Sequence, residues 1–276
     1  MLLLLLLALA GACVGSFINV VVWRMPRDES VIWPGSHCPH CGHGVRWHDN
    51  IPVIGWFLLV GRCRDCHQPI ARRYPLVEAL TAGLWLSAAW AHGFGVTHPM
   101  SGSVPGLITL AAGLVLVSLL MPLVLIDIDH LWLPEPLCRA GVVLGLLATG
   151  LMAAIAGWTS PGDRLFDHLL AAAAGLLILE GLSALAEWLI GQPALGLGDA
   201  KLAAVAGAWL GLAGLGMAMG LAVTSGAVFG GLARLTGRLK AREPFPFGPF
   251  IALGLWLVWF AGPQWWWSRW MTLLGA

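Results

Sequence analysis

LVLIDIDHLWLP (residues 123–134) ends an apolar run with two aspartates, Asp127 and Asp129, and closes on a leucine–proline pair. LGLGD (residues 195–199) breaks a second such run with Asp199 behind two glycines. A carboxylate at the edge of a membrane span is costly to bury, so its presence asks for a reason beyond packing in the bilayer. Asp127 and Asp129 are one residue apart and cannot share a helix face. Two carboxylates brought together from different segments cannot both ionise easily, so they share a proton. Such a pair supplies a base to activate water and an acid to protonate a leaving amine. No HExxH and no GxSxG competes for that role.

The rest of the chain says where such chemistry would be done. Of its 276 residues, 58% are hydrophobic and 11% charged, which excludes a soluble domain and predicts an all-α polytopic membrane protein. Apolar runs near 1–23, 76–95, 104–126, 136–157, 167–190, 200–213, 216–235 and 247–270 predict about eight transmembrane helices. The sixth and seventh come from splitting residues 202–233, which carry no charge; Gly211, Gly214 and Gly216 mark the expected turn. The leading run has no basic residue before Arg24, which suits an uncleaved first span better than a secretory signal.

Of the 15 Lys and Arg, seven fall between residues 24 and 74, and Arg234, Arg238, Lys240 and Arg242 crowd a second loop. Both loops are expected on the cytoplasmic side. Eight spans put both termini outside and bring Asp127 and Asp199 to the cytoplasmic face. The expected division is a first transmembrane helix over 1–23, a cytoplasmic loop domain over 24–74, and a core of about seven helices over 75–276.

That loop domain carries Cys38, Cys41, Cys63 and Cys66 in a C-x2-C-x21-C-x2-C pattern. Two CxxC turns at this separation can set four thiolates at the corners of a tetrahedron around structural Zn2+. A cytoplasmic location disfavours stable disulfides, and a loop with so small an apolar core needs a staple. Thiol exchange through one CxxC is the alternative. The five histidines of the loop (His37, His40, His43, His48, His67) read as surface residues, Cys13 and Cys138 as buried thiols. Asp199 is placed as the N-cap of the following helix, Lys201 as snorkelling to the interface, and Glu78 as an internal polar tie.

On these residues the chain resembles the bacterial type IV prepilin peptidases nearly end to end. GSFINVVVWRMP (15–26) is similar to that family's first-span signature, and the segment 48–81 joins the second CxxC to the second span as its members do. The Asp127-to-Pro134 spacing, GLGDAK (196–201) and PFGPFIALG (246–254) follow in the same order.

The resemblance implies an intramembrane aspartyl endopeptidase of the inner membrane that removes the basic leader from type IV prepilins or type II secretion pseudopilins. It also implies N-methylation of the new N-terminal residue with S-adenosylmethionine. It selects Asp127, seven residues before the Pro of the LP motif, and Asp199, the Asp of GxGD, as catalytic. It matches Gly15, Asn19 and Arg24 to the methylation motif and the four cysteines to zinc. Expected partners are the pilin substrates and the lipid bilayer, with no nucleic acid. Two positions depart from the pattern: Glu135 follows LP where Asp or Asn is common, and Gly55 stands where a larger polar residue is frequent. A proton- or cation-coupled transporter is the alternative from another class; it prefers carboxylates near the bilayer midplane.

Overall fold

The computed structural model describes residues 1–91, 104–155, 160–191, 196–240 and 244–274. These form helices joined by loops, with two isolated β-bridges, His37 to Gly44 and Arg62 to Pro69. The helices are α1 (Leu2–Arg24), α2 (Ile54–Leu58), α3 (Arg73–Ala91), α4 (Val104–His130), α5 (Glu135–Ile155), α6 (Pro161–Ile190), α7 (Leu197–Leu235), α8 (Gly248–Ala261) and α9 (Pro263–Leu274).

Five of them, α1, α4, α5, α6 and α7, are long and apolar enough to cross a membrane; α8 is a shorter apolar helix. The all-α membrane architecture is thus as expected, whereas the described residues do not confirm the count of eight spans. The last expected span, 247–270, is interrupted at Gly262 (φ 82, ψ 144) between α8 and α9. The expected ends of two spans, at 92–95 and 156–157, lie outside the described residues.

Two compact units divide the chain. The first contains α1, α3 and the loop between them, together with the middle of α4; the second holds the two ends of α4 and everything after it. In the first unit α1 and α3 run antiparallel at close range. A Cβ on Gly11 would lie 3.0 Å from the Ala82 Cα, and one on Gly15 would lie 2.7 Å from the Glu78 Cα. Gly11 and Gly15 are one helical turn apart, the small-residue spacing that lets two backbones approach in lipid.

The second unit packs by the same device. A Cβ on Gly175 of α6 would sit 2.6 Å from the Ala203 carbonyl oxygen of α7. The first leg of α7 is buried along most of its length, from Asp199 to Gly211 all but Lys201.

That leg ends at Gly211, whose φ of 70° and ψ of −178° break the 39-residue α7 in two. A continuous helix would pair the Ala208 carbonyl with the Leu212 N–H. Here α6 satisfies both groups instead. The Leu212 N–H donates to Oδ2 of Asp167 at 3.2 Å, and His168 Nδ1 donates to the Ala208 oxygen at 3.0 Å, beside Thr149 Oγ1 at 3.1 Å. The break falls where the glycine-marked turn was expected, and two polar neighbours hold it open.

Candidate active site and metal centre

Asp127 lies in the last turn of α4, only 5% exposed. One turn later Leu131 takes a left-handed φ of 52° and ends the helix, and Leu133 and Pro134 run into the interior. Asp129 and His130, two and three residues past Asp127, are exposed. The helix has therefore separated the two aspartates of the motif, as their spacing requires.

A residue 121 positions away meets Asp127. The N–H of Gly248, the first residue of α8, donates to Asp127 Oδ2 at 2.9 Å. A Cβ on Gly248 would lie 2.6 Å from that same oxygen, so only glycine lets the helix start come this close. The first N–H groups of a helix have no partner within it and suit a carboxylate oxygen.

Asp199 is held in a parallel way at the start of α7. It occupies the third helical position, not the N-cap that the sequence suggested; Gly196 is the cap, in ordinary extended conformation (φ −71, ψ 146). The Gly196 N–H donates to Asp199 Oδ2 at 3.2 Å, which is the reach-back half of a capping box. Gly198 is small for a different reason: a Cβ there would stand 3.0 Å from the Leu133 Cβ. The α4–α5 loop thus lies directly on the start of α7. Asp199 is 9% exposed and within Coulombic reach of Asp127.

Lys201 corrects another expectation. Rather than snorkel, its Nζ pairs with Glu135 Oε2 at 3.2 Å, and Glu135 also pairs with Arg139 one turn along α5. The residue that departs from the LP pattern is therefore a clamp between the starts of α5 and α7.

In the first unit the loop 25–72 folds around its cysteines. Each CxxC sits in a tight hairpin: the Cys38 N–H donates to the His43 carbonyl at 2.9 Å and the Cys63 N–H to the Gln68 carbonyl at 2.8 Å. Gly42 (φ 72) follows the first pair and His67 (φ 55) the second, at matching positions. The four Sγ atoms lie within 4.8 Å of one another, with 3.7 Å between Cys38 and Cys66 and 4.0 Å between Cys41 and Cys63. Four thiolates at Zn–S distance in a tetrahedron would be about 3.8 Å apart, so the donor set fits Zn2+. Backbone N–H groups of Cys41 and His40 hold the Cys38 thiol down to about 7, while burial and neighbouring thiols push those of Cys41 and Cys66 up. Among the described residues no histidine joins this set.

Two ion pairs cross between the hairpins, Arg46 with Asp65 at 3.4 Å and Arg64 with both oxygens of Asp49. The Arg64 guanidinium beside Asp49 holds that carboxyl below the usual carboxylate range. Gly55, the other departure from the family pattern, backs onto the Asp49 carbonyl with no room for a Cβ. Glu78 is a polar tie, as expected: its Oε2 accepts the Val53 N–H at 2.6 Å.

The three residues matched to methylation have structural partners in this unit. Gly15 packs on the α3 backbone, Asn19 Nδ2 donates to the Tyr74 carbonyl, and Arg24 donates to the carbonyls of Ser30 and Gly35. Cys138 is buried as expected, but Cys13 is exposed on α1.

Comparison with known proteins places these features in a family. Residues 9–92 match the Bacterial Peptidase A24 N-terminal domain, and residues 114–231 match the Type IV leader peptidase family. A prepilin leader peptidase/N-methyltransferase of Myxococcus xanthus is 42% identical over 234 residues, covering 84% of this chain and 64% of its own length. A type 4 prepilin-like proteins leader peptide-processing enzyme of Escherichia coli is 34% identical over 90% of each chain. A prepilin leader peptidase/N-methyltransferase of Aeromonas hydrophila is 36% identical, over 92% of this chain and 89% of its own. No solved structure matches significantly. The chain belongs to the type IV leader peptidase family.

Proposed function

We propose that the protein cuts the leader peptide from type IV prepilins or pseudopilins and N-methylates the new N-terminus, with Asp127 and Asp199 as the proteolytic pair. One observation carries the proteolytic reading. Two buried carboxylates from distant segments meet within Coulombic reach, each with an oxygen bonded to the N–H of a residue opening a helix. Both lie in terminal turns, Asp127 at the end of α4 and Asp199 at the start of α7. That position suits a cut at the membrane edge, where water is available, better than ion coupling at the midplane.

In the proposed reaction one ionised carboxylate takes a proton from water, whose oxygen attacks the scissile carbonyl carbon. The other, protonated, gives its proton to the carbonyl oxygen, and collapse of the tetrahedral intermediate expels the amine with a proton returned from the pair. The Gly248 and Gly196 N–H groups fix the two side chains so that neither needs to reorient during the exchange. The pilin helix enters from the bilayer of the inner membrane, its basic leader on the cytoplasmic side.

Zn2+ on Cys38, Cys41, Cys63 and Cys66 would cross-link the two hairpins of the loop domain proposed over residues 24–74. S-adenosylmethionine would supply the methyl group. Gly15, Asn19 and Arg24, each also held by a contact within the first unit, are the residues proposed to take part in its binding.

Co-expression with a type IV prepilin, read by mass spectrometry of the pilin, tests this reading. Asp127→Asn and Asp199→Asn are expected to leave the leader attached, while Asp129→Asn cuts normally. Cutting by the first two variants would remove the pair from the mechanism.

A further inference from the structure

The cysteine loop turns an apolar edge outward. On one side of α2 the Trp56 indole N–H donates inward to the Ile70 carbonyl at 3.0 Å, and Gly55 is buried against Asp49. On the other side Ile54, Phe57 and Leu58 stand at helical spacing and are 52%, 65% and 68% exposed; Val60, just beyond, is 80% exposed. A polar, metal-stapled loop has no reason to show such a contiguous face to water, and faces of this kind mark a partner.

The attachment of the loop points to what that partner is. The loop leaves α1 at Arg24 and enters α3 at Arg73. Gly11 meets Ala82, Gly15 meets Glu78 and Asn19 meets Tyr74, so the two helices run antiparallel and these ends lie together. α1 is long and apolar enough to cross the membrane, so the loop is moored at one membrane surface by both ends. Residues 24–74 carry seven basic and four acidic side chains, and pairing of Asp65 with Arg46 and of Asp49 with Arg64 leaves five basic against two acidic. Arg62, two residues beyond Val60, and Arg72, just before α3, are exposed. Apolar side chains flanked by arginines at a moored surface match an anionic lipid leaflet.

We propose that Ile54, Phe57, Leu58 and Val60 insert into the headgroup–acyl boundary of that leaflet, with arginines of the loop on anionic phospholipid headgroups. This inference rests on α1 crossing the membrane and is independent of the proteolytic chemistry. Insertion would hold the stapled hairpins flat on the bilayer, at the level where a leader peptide leaves its span.

The test uses the full-length, zinc-loaded protein in nanodiscs of phosphatidylethanolamine and phosphatidylglycerol. A benzophenone amino acid replaces Phe57, Val60 or, as a control on the same loop, the exposed Val45. After irradiation, intact-mass analysis is expected to show phospholipid adducts at 57 and 60 roughly tenfold above those at 45, as an interfacial face requires. Zinc at one ion per chain confirms that each variant keeps its loop. Equal labelling at all three sites, or no lipid adduct at 57 and 60, overturns the proposal. So does adduct formation with a co-reconstituted prepilin in place of lipid, which would give the face to the substrate.

Discussion

The cysteine cluster and the aspartate pair are assembled in opposite ways. The cluster is local: four ligands within 29 residues, each pair set by its own hairpin, and two crossed ion pairs between the hairpins. The aspartate site draws on the end of α4, the start of α7 and the start of α8, and is held by backbone N–H groups, that of Gly248 at an approach only glycine allows. A stapled module tolerates change around its staple. A site made by three converging helix ends depends on each approach distance.

Gly248→Ala is the sharpest way to break the second arrangement. The added methyl would meet Asp127 Oδ2 and push the carboxylate from its N–H donor. A misplacement of that order costs catalysis on the order of 10²-fold, measured as prepilin cleavage at equal membrane abundance, with zinc content unchanged.

Cys41→Ser should do the converse. It is expected to abolish zinc retention and open the loop to limited proteolysis, while cleavage falls less than in Gly248→Ala. A larger loss of cleavage than of loop order would mean that the two regions are not separable in this way.

Acid probes the crossed ion pairs. Arg64 lowers the Asp49 carboxyl in the folded loop. The pair therefore contributes stability above the unfolded carboxylate value of about 3.9, and that contribution is lost as pH falls through the lower folded value. Asp49→Asn should make the loop more sensitive to proteolysis at neutral pH and should flatten the part of its acid dependence due to this pair.

The smallest effect is expected at His67, which holds a left-handed φ where the first hairpin has Gly42. His67→Gly should relieve strain of about 1 kcal/mol, partly offset by greater freedom of the unfolded chain, and should raise the temperature at which chelator strips the zinc.

How much of this was legible follows the same divide. The zinc ligands could be read from spacing because the hairpins that present them are short. The helical character of the spans and the break near Gly211 were legible from the apolar runs and glycines. Asp127 was separable from Asp129 in principle, since adjacent-but-one residues face apart, but the family spacing was needed to choose between them.

What the sequence concealed were pairings across long separations. Gly248 lies inside PFGPFIALG (246–254), yet nothing local tells that its N–H meets Asp127. Lys201 looked like an interfacial lysine because its partner, Glu135, is 66 residues away. Asp167 and His168 carry no motif at all; they matter because α6 lies beside the two backbone groups that Gly211 sets free. Gly15 was legible as a marked residue, but its contact with α3 shows a packing reason that the motif did not convey.

The central claim is that Asp127 and Asp199 work as one unit, and a double-mutant comparison of cleavage rates tests it most directly. Single replacements by Asn are expected to lower the rate by about 10³-fold each, and the double variant by no more than the worse single one, because removing either partner already stops the shared proton exchange. Losses that multiply in the double variant, with all three proteins folded in the membrane, would show that the two carboxylates act independently and would contradict the account.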